Sequence, residues 1–207
     1  MNSLEVYNQL RSLDVPVLRT GDVARYLEMP DSTAQSALDR LAKAGLVEHV
    51  WRGVWALDPE LDPLVLPPYL TGAFPSYISF ETALFYHDMI QQIPPRITVA
   101  SLHRSATIRT SRGTYLVHQV PPTLYGGFEE HNHIRMAGPE KVLIDLAYIR
   151  SHRSTRNTRM PEIEVPASLK RDELASWIER ISAKRMRSLV RSTLGTWGVP
   201  NDALPAG

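Results

Sequence analysis

Along the front of the chain, hydrophobic positions recur every three or four residues, the spacing of one helix face. Leu4, Tyr7 and Leu10 behind Ser3 predict a first helix over 4–12 with Ser3 as its cap, ended by Asp14-Val15-Pro16. Val23, Ala24 and Leu27 predict a second over 21–27, capped by Thr20 and broken at Met29-Pro30, because proline disfavours the helical conformation of the residue before it. Ala34, Ala37, Leu38 and Leu41 predict a third over 32–44, capped by Asp31 or Ser32, with Gly45 placed to end it in a left-handed conformation. The rhythm then changes. Residues 46–50 and 54–57 are β-prone runs around Trp51-Arg52-Gly53, which reads as a short hairpin. Helix, helix, turn, helix, hairpin is the plan of a winged helix-turn-helix.

Prolines cluster next, at 59, 63, 67 and 68, and mark 59–69 as a linker. Beyond it the pattern mixes periods. A helix is expected over 80–89, strands over 97–102, 106–110 and 114–120, and a strong helix over 139–150. In that last helix Pro139 suits the first turn, Glu140 suits the positive end of the dipole, and Val142, Leu143, Leu146, Ala147 and Ile149 supply the buried face. Helices over 171–182 and 183–197 close the pattern, and the Arg/Ser/Thr/Asn-rich stretch 150–159 reads as a mobile loop. The expected fold class is therefore α+β. A winged helix-turn-helix over 1–58 precedes a larger mixed α/β domain over 70–207 that ends in basic helices.

Polar positions on the third helix sharpen the first module. Ser32, Thr33, Gln35, Ser36, Asp39, Arg40 and Lys43 leave the apolar face free to pack, and their leading members are small or amide side chains. That suits a helix entering the DNA major groove N-terminus first. Gln35 is the candidate for a base edge, while Thr33, Arg40 and Lys43 suit phosphates. Thr20, Ser32 and Ser36 join the candidate set, and Arg52 beside Gly53 could reach an adjacent groove or backbone from the wing. Trp51 and Trp55 read as cover for the core beneath the hairpin.

Charge and composition narrow the chemistry. The 207 residues carry a formal net charge of +1. Residues 1–60 hold six basic against nine acidic side chains, a balance of −3, and residues 151–207 hold ten against six, a balance of +4. Any nucleic-acid contact at the front must therefore be a local patch. The absence of cysteine excludes disulfides, thiol nucleophiles and thiolate metal sites. No apolar run approaches the roughly 20 residues of a membrane span. The opening MNSLEVYNQLRSL has no basic segment leading into an apolar core, so a cytoplasmic protein without membrane partners is expected. His87, His103, His118, His131 and His133 lack metal-ligand spacing, and neither a G-x-S-x-G elbow nor a phosphate-cradling glycine loop occurs. Neither catalysis nor a cofactor is expected. On the residues alone, the larger domain remains an α/β domain without an assigned task.

Four segments add a resemblance. They are FPSYISFETALFYHDMIQQIPPRITVAS at 74–101, GTYLVHQV at 113–120, YGGFEEHNHIRMAGPEKVLIDLAYIR at 125–150, and the helical module ahead of them. In this order they resemble the AbiEi family of type IV antitoxins from bacterial abortive-infection systems. The most specific piece is the run Ala137-Gly138-Pro139-Glu140-Lys141-Val142-Leu143-Ile144-Asp145. The resemblance implies a winged helix that binds inverted repeats in its own promoter, and a C-terminal domain that counteracts a nucleotidyltransferase-like toxin without requiring a stable complex. The sequence departs from the family at Asp88, where glycine is common, and after residue 150. Pro139, Glu140, Lys141 and Asp145 are then either structural or toxin-antagonising, and their types suit helix capping and docking better than acid–base work. The alternative to an antitoxin is a winged-helix interaction module, or a general transcription regulator, that has no toxin partner.

Overall fold

The computed structural model describes residues 3–152 and 162–199. It is α+β, with two sheets and eight α-helices among those residues. Two compact units emerge: one runs to Gly72 and takes in Ile108–Thr114, and the other comprises Ala73–Thr107 and the chain from Tyr115 onward.

The first unit begins with α1 (Ser3–Arg11), strand β1 (Val17–Arg19), α2 (Thr20–Tyr26) and α3 (Asp31–Lys43), followed by β2 (Glu48–Trp51) and β3 (Val54–Ala56). The three expected helices and the hairpin are present, and β1 is an addition. It pairs antiparallel with β3, which gives the sheet order β1-β3-β2. Val6 and Leu10 of α1, Val23 and Ala24 of α2, and Ala34, Ala37, Leu38 and Leu41 of α3 close on Leu18, Val47, Trp55 and Leu57 in one core. α2 and α3 thus bury the faces that their periodicity marked, whereas in α1 Leu10 is buried, Tyr7 only partly so, and Leu4, expected on the same face, is 61 % exposed while Val6 takes its place in the core.

Helix ends depart from the sequence reading at their starts. Thr20 and Asp31 are each the first helical residue, and the residues before them, Arg19 and Pro30, make no side-chain cap bond. The Pro30 carbonyl instead accepts from the backbone N–H groups of Thr33 and Ala34. At the other end Gly45 has φ +71°. Its N–H donates to Ala42 O, and that of Leu46 to Leu41 O, so α3 ends in a Schellman motif.

The stretch read as a linker is packed. A 3-10 turn over Pro63–Val65 is started by Asp62, whose carboxylate accepts from the Leu64 N–H, and α4 (Pro67–Leu70) follows. Leu64, Val65, Leu66 and Leu70 are buried. Arg19 Nη2 donates to the carbonyls of Pro68, Tyr69 and Gly72, which are left open at the end of this short helix. Proline density signalled a break in helical periodicity here, and the leucines between the prolines supply the burial.

The second sheet has the order β6-β7-β5-β4-β9-β8, and apart from Ile108–Thr110 and Gly113–Thr114 its residues belong to the second unit. Its strands are β4 (Ser76–Ile78), β5 (Ile97–Ser101), β6 (Ala106–Thr110), β7 (Gly113–Gln119), β8 (Phe128–His131) and β9 (Ile134–Ala137). β5 runs antiparallel to β4 and parallel to β7, β4 runs parallel to β9, and β8 and β9 form an antiparallel hairpin. Helix α5 (Phe80–Tyr86) follows β4, and α6 (Pro139–His152) follows β9 and packs against α5, α7 (Arg171–Glu179) and α8 (Lys184–Thr196). α6 extends through the first residues of the stretch read as a loop, and the remainder of that stretch, from 153, lies outside the described residues. None of the helices among the described residues is long and apolar enough to cross a membrane.

Candidate nucleic-acid interface

On α3 the buried positions Ala34, Ala37, Leu38 and Leu41 turn Ser32, Thr33, Ser36, Asp39, Arg40 and Lys43 to the outside, where all six are exposed. Ser36 Oγ donates to the Ser32 carbonyl 2.9 Å away, one turn back along the helix. Arg52 is exposed at the β2–β3 turn, where Gly53 has φ +64°. The Gly53 carbonyl accepts from the Thr20 N–H at 3.0 Å, which fastens this turn to the start of α2.

Thr20 and Gln35 sit apart from that exposed set, half-buried and engaged with each other. Trp55 is 1 % exposed and its Nε1 donates to Thr20 Oγ1 at 3.0 Å. Thr20 Oγ1 donates to Gln35 Oε1 at 3.1 Å, and Gln35 Nε2 donates to Asp39 Oδ1 at 3.3 Å. Gln35, expected to face a base edge, makes one bond within the protein from each end of its amide. Its aromatic side chain marked Trp55 as core cover, but the sequence held no sign of this connection, because residues 20, 35 and 55 lie far apart in it.

The Glu140-Lys141-Asp145 motif forms a second polar constellation, inside the other unit. Helix α6 is buried on every side from Glu140 to Ala147, so its charged members need partners. Lys141 Nζ pairs with Asp145 Oδ1, one turn on, and both side chains are fully shielded from solvent. Asp145 Oδ2 accepts from Tyr77 OH at 2.9 Å and from Ser79 Oγ at 2.8 Å. The ammonium also lies 5.3 Å from the Tyr77 ring centre and 4.9 Å from that of Trp177, whose ring Arg180 covers at 4.1 Å. Burial pushes the Lys141 ammonium below the usual lysine range, Asp145 opposes that push, and the Arg180 charge adds to it. Burial and the adjoining Asp145 charge raise the Tyr77 phenol far above the ordinary tyrosine range. Glu140 Oε1 accepts the Lys170 N–H at 2.6 Å, which docks the start of α7 on the start of α6. Gly127, at φ +69°, leaves the room this needs: a Cβ there would stand 2.6 Å from the Trp177 ring and 2.9 Å from Lys141 Cγ.

The histidines disperse. His87 Nε2 donates to the Ala137 carbonyl at 2.7 Å, His118 packs its ring on the edge of Phe80, and His131 lies 3.3 Å from Glu129 at the sheet edge. Among the described residues no three His, Asp or Glu side chains gather as metal ligands would.

Compared with known proteins, the chain matches no family model, and no curated protein matches it either.

Proposed function

We propose that this chain is the antitoxin of a type IV toxin–antitoxin system. Its first unit acts as a winged helix-turn-helix that binds and represses its own promoter, and its second counteracts a nucleotidyltransferase-like toxin. The observation that carries the DNA-binding half is the outward face of α3. Ser32, Thr33, Ser36, Arg40 and Lys43 lie exposed along one helix. A glycine turn bearing the exposed Arg52 follows, tied to α2 through Thr20 and Gly53. Small hydroxyl side chains let a helix enter the major groove, and the three cations suit flanking phosphates. The antitoxin half rests on the ordered resemblance of 74–101, 113–120 and 125–150 to AbiEi proteins. Placement of Lys141 and Asp145 away from solvent, with their polar atoms engaged, supports a structural part for that motif and a non-catalytic protein.

The acidic balance of residues 1–60 favours a second reading, in which the same helix binds a protein. Mobility shift on the DNA upstream of the gene, with unrelated DNA as competitor, separates the two. A specific shift that weakens steeply with salt supports the promoter-binding reading. A shift absent at low salt sinks it and favours the interaction module. Co-expression with a neighbouring nucleotidyltransferase-like gene tests the second half: growth restored by the intact chain supports antagonism, and unrelieved growth arrest refutes it.

A further inference from the structure

Asp39 is the exposed end of a hydrogen-bond relay that starts in the core. Trp55 Nε1–H can only donate, and a carboxylate can only accept. A chain that begins at the first and finishes at the second has one consistent direction: Trp55 to Thr20, Thr20 to Gln35, Gln35 to Asp39. The Gln35 amide cannot flip, because its oxygen would then face the Asp39 oxygen. The Asp39 carboxylate, on the outward face of α3 beside Ser36, Arg40 and Lys43, is thereby oriented through Oδ1, by one bond of 3.3 Å, although exposed.

A carboxylate oriented on a face of this kind is costly beside phosphates and useful only opposite a donor. In the major groove the amino donors are cytosine N4 and adenine N6. Adenine sets the N7 acceptor beside its amino group, which repels a carboxylate, whereas the cytosine amino group has the C5–H edge on that side. Resting on the promoter-binding reading above, we propose that Asp39 is a specificity-determining residue that accepts from N4 of a cytosine in the operator. Gln35 and Thr20 act as positioning residues behind it. A carboxylate already oriented by the protein loses little freedom on binding, and this is the advantage of the relay over a free surface aspartate.

The test is selection of duplexes from a randomised library by the full chain, followed by competition binding with each base pair substituted at every selected position. Wild type is expected to enrich a site containing one C·G pair whose replacement weakens binding about tenfold to a hundredfold. Asp39→Asn, nearly isosteric, is expected to lose that preference at that position alone, and Thr20→Val to reduce it without moving it. Enrichment of a site by wild type with the same base preferences in Asp39→Asn overturns the inference and leaves promoter binding standing. Wild type that enriches no site overturns both.

Discussion

Asp145 shows how much a single buried side chain can organise. It is fully shielded, takes the Lys141 ammonium on one oxygen and two hydroxyl donors on the other, and so joins α6 to β4 and to the residue that follows that strand. Removing it leaves an uncompensated ammonium and two hydroxyls without their acceptor, so Asp145→Ala should lower stability by about 3–5 kcal/mol. Lys141→Met leaves the carboxylate with both hydroxyl donors and should cost less, about 1–3 kcal/mol. Urea unfolding of the two variants checks the order, and a Lys141→Met loss equal to that of Asp145→Ala sinks it. Glu48, in the other unit, is coupled to pH. Burial by itself would raise its carboxyl, but hydrogen bonds from Arg112 and Ser111 and the Arg112 charge outweigh that and hold it below its ordinary value. Between the lowered folded value and the ordinary unfolded one, the unfolded chain binds more protons, so stability falls as pH drops through that window. Thermal melts from about pH 6 down to about pH 3 should show a larger loss for wild type than for Glu48→Gln. Parallel curves count against the pairing. That the types of Glu140, Lys141 and Asp145 suit helix capping and docking was readable because their positions in a proline-started helix are local features. Their partners Tyr77, Ser79 and Trp177 were not, since nothing in a linear pattern ties residue 77 to residue 145.

At the scale of elements, α2, α3 and α5 end in the same way with different residues, as α8 does at Gly198. The N–H bonds of Glu28 to Arg25 O and of Met29 to Ala24 O repeat at the end of α2 what Gly45 and Leu46 do for α3, and Asp88 and Met89 repeat it for α5. All three central residues are left-handed, with φ of 50° at Glu28, 71° at Gly45 and 55° at Asp88. An L-residue is strained there by about 1–2 kcal/mol, whereas glycine is not but has more freedom to lose on folding. Glu28→Gly and Asp88→Gly should therefore each stabilise by up to about 1 kcal/mol, and Gly45→Ala should destabilise by about as much, since a Cβ there meets nothing within 4 Å. Shifts of the urea midpoint at constant slope are the readout, and a lowered midpoint for both glycine variants overturns the argument. Glycine at position 88 is also what the AbiEi resemblance leads one to expect. The helices other than the four-residue α4 were legible because their apolar positions recur at helical spacing over about two turns or more. β1 and β4 were not, because three residues are too few for alternation to show. The β8–β9 hairpin is absent from the expected strands for another reason. β8 is an edge strand with exposed Glu129, Glu130 and His131, and its turn is Asn132-His133 with no glycine, although both have positive φ.

For the whole molecule, charge has to be considered where it sits. A net +1 cannot draw a polyanion from a distance, and the −3 balance of residues 1–60 works against one. On the proposed promoter-binding reading, DNA is held by short-range contacts of Arg40, Lys43 and Arg52, all exposed, against Asp31 and Asp39 on the same helix. Contacts of that kind release condensed counterions one phosphate at a time, and each contributes about 0.9 to the slope of log affinity against log salt concentration. Replacing Arg40, Lys43 or Arg52 singly with alanine should lower that slope by about 0.9 and weaken binding to specific and unrelated duplexes alike, because a phosphate carries no sequence information. Asp39→Asn should differ in kind, changing the preference at one base pair while leaving the slope no lower than that of wild type. Fluorescence anisotropy over a salt series with an operator duplex and a scrambled one measures both quantities at once. A slope unchanged in all three alanine variants moves the phosphate contacts off α3 and the β2–β3 turn. The basic side chains of α7 and α8 would then be the next to replace, because residues 151–207 hold the chain's largest positive balance.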